Sequence, residues 1–237
     1  PTLHEWIRSL YRGEEFAAVL GSPVRHSYSP IEHLAYARLR QLSFFSVDVR
    51  EDEWDGAWPV LKRRGLKFAA VTAPLKHKAC DVSTVLSEEA SRLKSVNTLS
   101  KTRDGWRGHN TDLEGLRQAL QAFEMNPSTT AVWGGGGTLP VLRELLPGAS
   151  FYSRRTGELR EGSNEPSSVE TLVWAVGPQE PGPLQEWRPR LLLDLNYRED
   201  SNARAEALAR GSNYVSGLMM FKEQAAAQRQ EWDQYVE

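Results

Sequence analysis

The sequence predicts an α/β protein with two domains. Short apolar runs typical of strands alternate with segments whose apolar residues recur at the period of a helix, as in parallel sheets covered by helices. The chain has 237 residues, 40% of them hydrophobic, which is enough for one large or two small cores. After Asn126-Pro127-Ser128 the strand pattern starts again, so a boundary is expected near Pro127.

Eight runs of apolar residues predict strands. They are residues 16–21, 44–49, 68–72, 95–99, 129–133, 149–153, 171–176 and 191–195. Between them, residues 34–42 keep a helical rhythm, residues 74–93 have room for one or two helices, and residues 139–146 form a short one. The polar stretch 154–168 predicts a loop, and an apolar stripe from Gly217 predicts a long amphipathic helix that packs on another element.

Two segments match the capping box that opens a helix. They begin at Ser29, which is followed by Pro30 in the favoured first position, and at Thr111. Helix capping is enough to explain a serine at position 29, and a turn is enough to explain one at position 27.

Composition excludes several classes of function. The formal net charge is −2, which argues against an electrostatic binder of nucleic acid or of anionic membranes. We find neither an apolar run of about 18 residues nor the layout of a signal peptide, and expect a soluble, cytoplasmic protein. With Cys80 as the single cysteine and no zinc-binding histidine pattern, neither a disulfide nor a metal is expected.

A glycine run directly after a predicted strand indicates phosphate binding. Gly134, Gly135, Gly136 and Gly137 precede a helix, where backbone N–H groups can approach a pyrophosphate. About 20 residues after the first glycine, where an NAD site has an acidic residue, the chain has Arg154-Arg155. Paired guanidiniums suit a 2′-phosphate and therefore NADP; a glycine turn followed by two solvated arginines is the alternative.

Lys76 and Asp112 are candidates for acid–base chemistry. Lys76 follows a predicted strand, and Asp112 opens a helix after Gly108-His109-Asn110-Thr111. An ammonium can protonate a developing alkoxide while a carboxylate orients it. Taken alone, the two are more simply explained as a surface lysine on a helix and a first-turn partner of a helix dipole.

Seven segments in order resemble the shikimate dehydrogenase family over nearly the whole chain. They are residues 21–30, 71–76, 95–98, 108–112, 134–137, 194–197 and 217–225. The resemblance implies NADP-linked reduction of 3-dehydroshikimate to shikimate, in aromatic amino acid biosynthesis. It also implies a substrate domain (1–108 plus 218–237) and a shortened, Rossmann-like, doubly wound NADP domain (109–217).

The resemblance also assigns roles to residues. Lys76 and Asp112 become the catalytic pair. The substrate-binding residues become Ser27, Ser29, Thr72, Asn97, Tyr197 and Gln224. The cofactor-binding residues become Gly134, Gly135, Gly136, Gly137, Arg154, Arg155, Thr156 and Gly217.

The cofactor half departs from the family pattern. Leu139 stands where the family has a small residue, Arg154 replaces an asparagine, and only about 15 polar residues replace a helix and a strand. We therefore predict weak NADP binding. Two alternatives stay open: a shikimate-binding homologue with a degenerate cofactor site, acting in regulation or interaction, and a related quinate/shikimate dehydrogenase. The expected partner is a small molecule, with the chain a monomer or homodimer.

Overall fold

The computed structural model describes residues 15–236. The chain forms two compact units, one of residues up to 114 together with those from 224 onward, and one of residues 115–223. Each dividing point lies inside a helix. The boundaries that the resemblance implied, 108/109 and 217/218, lie a few residues before the dividing points, whereas the boundary expected near Pro127 lies after the first of them.

The first unit is built on a six-stranded mixed sheet of order β2-β1-β3-β5-β6-β4. Its strands are β1 (Phe16–Gly21), β2 (Ser43–Asp48), β3 (Leu66–Val71), β4 (Val85–Leu86), β5 (Thr98–Thr102) and β6 (Gly105–His109). β1 is parallel to β2 and β3, while β5 is antiparallel to β3 and β6. Every residue of β1 is buried, as expected of a central strand covered on both faces.

Among the described residues, four short helices lie entirely within this unit, and two more cross the dividing points. The four are α1 (Ser29–Leu39), α2 (Trp54–Arg63), α3 (Lys76–Asp81) and α4 (Glu88–Leu93). The crossing helices are α5 (Asp112–Gln121) and α8 (Leu218–Asp233). The stretch expected to hold one or two helices, 74–93, thus holds two.

Tryptophans fill the two faces of the first sheet. On one face, Trp54 stacks on Trp58, and Trp58 meets Trp106 edge to face, within one buried core cluster. On the other face, Trp232 of α8 is fully buried against Phe68. Each of these large side chains removes much apolar surface from water, and together with the aliphatic residues around them they stabilise the unit.

The second unit is a five-stranded parallel sheet of order β11-β10-β9-β7-β8. Its strands are β7 (Thr130–Gly134), β8 (Ser150–Tyr152), β9 (Thr171–Ala175), β10 (Leu191–Asp194) and β11 (Asn213–Val215), with helices α6 (Leu139–Leu145) and α7 (Asn202–Arg210). The chain order reverses between β7 and β9, which is where doubly wound sheets bind ligands. The predicted α/β class with a doubly wound second sheet is confirmed.

Some local predictions were wrong. β5 begins at Thr98 rather than Ser95, because Ser95, Val96 and Asn97 bond to several neighbouring segments instead of joining the strand ladder. Ser29 is the first residue of α1 rather than its cap, and the Ser27 hydroxyl accepts its amide at 3.2 Å. α2, β4, β6, α7 and β11 were not predicted.

His33 is the most deeply buried titratable group of the first unit. It is 0% exposed, its ring lies 4.8 Å from that of Trp232, and burial followed by the positive charge of Arg229 lowers its pKa to about 4. The folded protein therefore holds a neutral imidazole at a pH where the unfolded chain is protonated.

We predict that stability falls with acidification because of His33. The His33 side chain takes up a proton near pH 6.5 in the unfolded chain and near pH 4 in the folded one, so above pH 6.5 it is neutral in both and does not lower the free energy of unfolding. As the pH falls from 6.5 to 4, only the unfolded chain binds the proton, and the free energy of unfolding decreases by about 3 kcal/mol. Urea unfolding at several pH values should show a shallower decline for His33→Gln. The exposed His26→Gln is the control, and equal slopes in wild type and His33→Gln would contradict the assignment.

Candidate active site

Lys76 is presented at the end of a buried parallel strand. β3 ends at Val71, the Thr72 amide continues its ladder by donating to the Leu20 carbonyl at 2.9 Å, and α3 begins at Lys76. The main-chain carbonyl of Lys76 accepts from the Val96 amide at 3.0 Å. The backbone beneath the ammonium is therefore fixed from two sides.

Asp112 is presented at the start of α5 by the side chain of Asn110. Oδ1 of Asn110 accepts from the Asp112 amide at 3.1 Å, and its Nδ2 donates to the Ser95 carbonyl at 2.8 Å. The segment 95–97 thus bonds directly to the backbone of Lys76 and, through the side chain of Asn110, to that of Asp112, which explains why it leaves the β5 ladder.

The structure brings Lys76 and Asp112 together. Lys76 Nζ donates to Asp112 Oδ2 at 2.5 Å, with the two side chains 28% and 14% exposed. A charge-assisted contact at this distance holds the ammonium in one direction. The partial exposure leaves the ammonium accessible to a small molecule.

The side-chain amide of Asn97 donates to the other carboxylate oxygen of Asp112. Its Nδ2 lies 2.8 Å from Asp112 Oδ1 and 3.2 Å from Gln224 Oε1. Its Oδ1 accepts from the Thr111 amide at 2.8 Å, and the residue is 1% exposed. Asn97 therefore connects the ion pair to Gln224 of α8, so four of the predicted residues form one hydrogen-bonded cluster.

A second polar cluster, which the sequence did not predict, lies between β6 and α8. Arg107 Nε donates to His109 Nε2 at 3.0 Å, and His109 Nδ1 lies 3.2 Å from Glu231 Oε2. Burial and then Arg107 lower the pKa of His109 to about 4, while burial raises the pKa of Glu231. His109 is thus neutral with its proton on Nδ1, and it ties the end of β6 to α8.

Ser27, Ser29 and Thr72 belong to the same unit as this cluster. Ser29 is buried, and its amide is held by Ser27. Thr72 follows β3 four residues before Lys76 and is partly exposed. The role of these hydroxyls in binding a substrate stays a prediction.

The glycine turn of the second unit lies at the carboxyl end of β7, where the strand order reverses. Gly134, Gly135 and Gly136 have φ of +94°, +108° and +44°. A Cβ at Gly134 would lie 2.2 Å from Val176 Cγ1, and one at Gly135 3.0 Å from Leu139 Cβ, so side chains are excluded at both. A Cβ at Gly136 would meet none of the described atoms within 4 Å, so this face of the turn is open to a ligand.

A cationic cavity of about 650 Å³ lies beyond β8. Its lining residues are Arg143, Ser153, Arg155, Thr156, Glu158, Leu159, Arg160, Glu161 and Gly162. Arg160 Nη2 donates to the Gly134 carbonyl at 3.3 Å, which connects the cavity to the glycine turn. The guanidinium of Arg154 pairs with Glu180 instead, so of the two adjacent arginines Arg155 is the one that lines the cavity. These donors fit an anionic nucleotide.

Tyr197 and Gly217 belong to the second unit. The ring of Tyr197 lies 4.9 Å from that of Phe221. The Gly217 amide donates to the Asn196 carbonyl at 2.8 Å, and a Cβ there would lie 2.5 Å from the Leu195 carbonyl oxygen. Gly217 is therefore required for close backbone packing, while the ligand roles of Tyr197 and Gly217 stay predictions.

None of the helices within residues 15–236 combines the length and the apolar character that crossing a bilayer requires.

Comparison with known proteins finds similarity to the shikimate dehydrogenases. Residues 19–99 match the model of the shikimate dehydrogenase substrate binding domain. The chain is 28% identical to a shikimate dehydrogenase (NADP(+)) of Hyphomonas neptunium over 90% of both chains. It is 31% identical to one of Xylella fastidiosa over 66% of this chain and 60% of that protein.

Solved structures support the same conclusion. The shikimate dehydrogenase of Aquifex aeolicus aligns with a TM-score of 0.76 over 94% of both chains at 20% identity, which bears on the fold. The shikimate 5-dehydrogenase of Thermus thermophilus in complex with NADP(H) and shikimate aligns with a TM-score of 0.72 over 94% of both chains at 25% identity. In sequence, fold and the order of the seven matching segments, the chain is similar to the shikimate dehydrogenases over nearly its whole length.

Proposed function

We propose that this protein is an NADP-dependent shikimate dehydrogenase, which interconverts 3-dehydroshikimate and shikimate. The observation that carries the proposal is the Lys76–Asp112 contact, supported by Asn97. A protein that only bound a hydroxylated acid would have little need of both an ammonium and a carboxylate held in this way. The Thermus thermophilus relative, whose structure contains both NADP(H) and shikimate, supports the same ligands.

The proposed role of Lys76 is to protonate the substrate oxygen. Bound NADPH supplies the hydride that reduces the ketone carbon. The Lys76 ammonium donates a proton to the oxygen as it becomes a hydroxyl, and in the reverse direction the amine takes that proton back. Asp112 keeps the ammonium in place, and Asn97 keeps Asp112 from turning.

Neutral polar groups around this pair suit a small polyhydroxylated carboxylate. We assign the substrate carboxylate to the hydroxyls of Ser27 and Ser29 together with Tyr197. We assign the ring hydroxyls to Thr72, Asn97 and Gln224. Such groups reject analogues that lack a hydroxyl, because a buried donor or acceptor left unpaired costs about 1–3 kcal/mol.

The cofactor is assigned to the second unit. The open face of the glycine turn suits a diphosphate, and Arg155 and Thr156 in the cationic cavity suit the 2′-phosphate that distinguishes NADP from NAD. The single cysteine fits a reducing compartment such as the cytoplasm, and we expect a monomer or homodimer.

The function is tested by adding shikimate and NADP⁺ to the purified protein and following formation of reduced nicotinamide. Parallel reactions contain NAD⁺ in place of NADP⁺, or quinate in place of shikimate. We expect turnover with shikimate and NADP⁺. Saturable shikimate binding by calorimetry without turnover for any pair would instead establish a binding protein with a degenerate cofactor site.

Removal of the ammonium should abolish most of the turnover. Lys76→Ala and Asp112→Asn are each expected to lower kcat by a factor of about 10² to 10⁴, with unfolding curves showing that both variants remain folded. Lys78→Ala is the matched control, since it also removes a lysine from α3. The acidic partner of Lys78 is Asp55, which is highly exposed. A folded Lys76→Ala variant with nearly normal turnover would refute the assignment.

Leu139 should weaken the binding of NADP. Its side chain packs directly over Gly135, at a position where the dinucleotide pattern has a small residue. We expect Leu139→Ala to lower the calorimetric Kd for NADP⁺ several-fold. Leu208→Ala, which removes an exposed leucine from α7, should leave that Kd unchanged, and tight binding by the unaltered protein would contradict the prediction.

A further inference from the structure

Two glutamines one turn apart on α8 hold the same residue beside β5. Gln224 Oε1 lies 3.2 Å from the side-chain Nδ2 of Asn97, and Gln228 Nε2 donates to the main-chain carbonyl of Asn97 at 2.9 Å. Residues four apart lie on one face of a helix. The helix therefore fixes both the peptide and the side chain of Asn97.

The orientation of Gln228 is dictated by chemistry. The Asn97 carbonyl can only accept, so the NH₂ of Gln228 faces it and the Oε1 faces His33 Nε2 at 3.1 Å. His33 must then carry its proton on Nε2. Its Nδ1 is buried without a hydrogen-bond partner in the described part of the chain, which agrees with a neutral ring in this tautomer.

Gln228 itself is 3% exposed and has both ends of its amide engaged. A buried polar side chain in this position is costly unless it is fully bonded. A leucine would fill the helix face and pack against the aromatic residues nearby. The polar residue at this position therefore indicates that the Asn97 carbonyl needs a hydrogen-bond donor, which an apolar side chain does not provide.

We propose that Gln228 is a positioning residue, which holds the Asn97 peptide so that the Asn97 side-chain amide meets both Asp112 and Gln224. The Asn97 carbonyl also accepts from the Val71 amide at 2.7 Å, so two donors fix the plane of that peptide. Loss of one of them lets the peptide tilt and moves the amide away from Asp112 Oδ1. The consequence for turnover rests on the proposed function.

The chain contains a matched control one turn further along α8. Trp232 Nε1 donates to the main-chain carbonyl of Leu99 at 3.2 Å, so Trp232→Phe removes the same kind of bond to the same strand. Leu99 is a buried core residue and makes no described contact to the Lys76–Asp112 pair.

The experiment compares Gln228→Met, Trp232→Phe and the unaltered protein at a temperature where unfolding curves show all three fully folded. We expect Gln228→Met to raise KM for shikimate and to lower kcat, with kcat/KM reduced about tenfold or more, because small displacements of reacting groups are costly. Trp232→Phe should change kcat/KM by no more than about twofold while lowering stability. If Gln228→Met does not fold, Gln228→Asn replaces it, since it stays neutral and polar while its shorter side chain withdraws the donor from the Asn97 carbonyl.

A double-mutant cycle separates positioning from a general loss of structure. In an Asn97→Ala background, Gln228→Met should have no further effect on kcat/KM, whereas Trp232→Phe should act equally in both backgrounds. Equal kcat and KM for the unaltered protein and Gln228→Met would overturn the proposal.

A measurement on the free protein, without substrate, tests the positioning role of Gln228 independently of the proposed function. In ¹⁵N spectra of the free protein, the side-chain amide resonances of Asn97 should move in Gln228→Met and stay in place in Trp232→Phe. If the unaltered protein lacks turnover, the proposed function fails while the spectra still decide the role of Gln228. Unmoved Asn97 resonances in Gln228→Met would overturn that role.

Discussion

The candidate site depends on one carboxylate whose two oxygens have different partners. Asp112 Oδ2 receives the Lys76 ammonium and Oδ1 receives the amide of Asn97. A lone surface ion pair contributes little and wanders among conformations. The additional neutral donor, the Asn97 amide, restricts the ion pair to one geometry. Proton transfer depends on that fixed geometry more than on the free energy that the ion pair contributes to stability.

Asn97 can perform this role because it lies outside the strand that follows it. Had the segment 95–97 joined β5 in a regular ladder, its backbone would pair only with neighbouring strands. Instead the Val96 amide bonds to the Lys76 carbonyl, and the Ser95 carbonyl accepts from the side chain of Asn110, just after β6. The irregular segment thus connects the end of β6 with the start of α3, and its energetic cost is offset by the buried aromatic cores on the two faces of the sheet.

The sequence predicted the alternation of elements, and the family resemblance paired Lys76 with Asp112, but neither indicated the contacts that hold the two side chains in place. β1 was predicted with its observed bounds because every residue is apolar and buried. α2 was missed although Trp54, Ala57, Trp58 and Leu61 form its buried stripe, because Pro59 lies inside it. The bond from Gln228 to Asn97 spans 131 positions, and a side-chain-to-backbone contact leaves no periodic trace in a sequence.

The stripe of α8 shows how one helix serves two physical purposes. Its buried face runs from Gln224 through Ala225 and Gln228 to Trp232, so a polar half faces Asn97 and an aromatic half fills the core. Hydrophobic burial sets how strongly the helix binds the sheet, but it is non-directional and would tolerate small shifts along the helix axis. The hydrogen bonds of the two glutamines are directional and fix the register, so Trp232 supplies the binding free energy while the polar half determines where the side-chain amide of Asn97 lies.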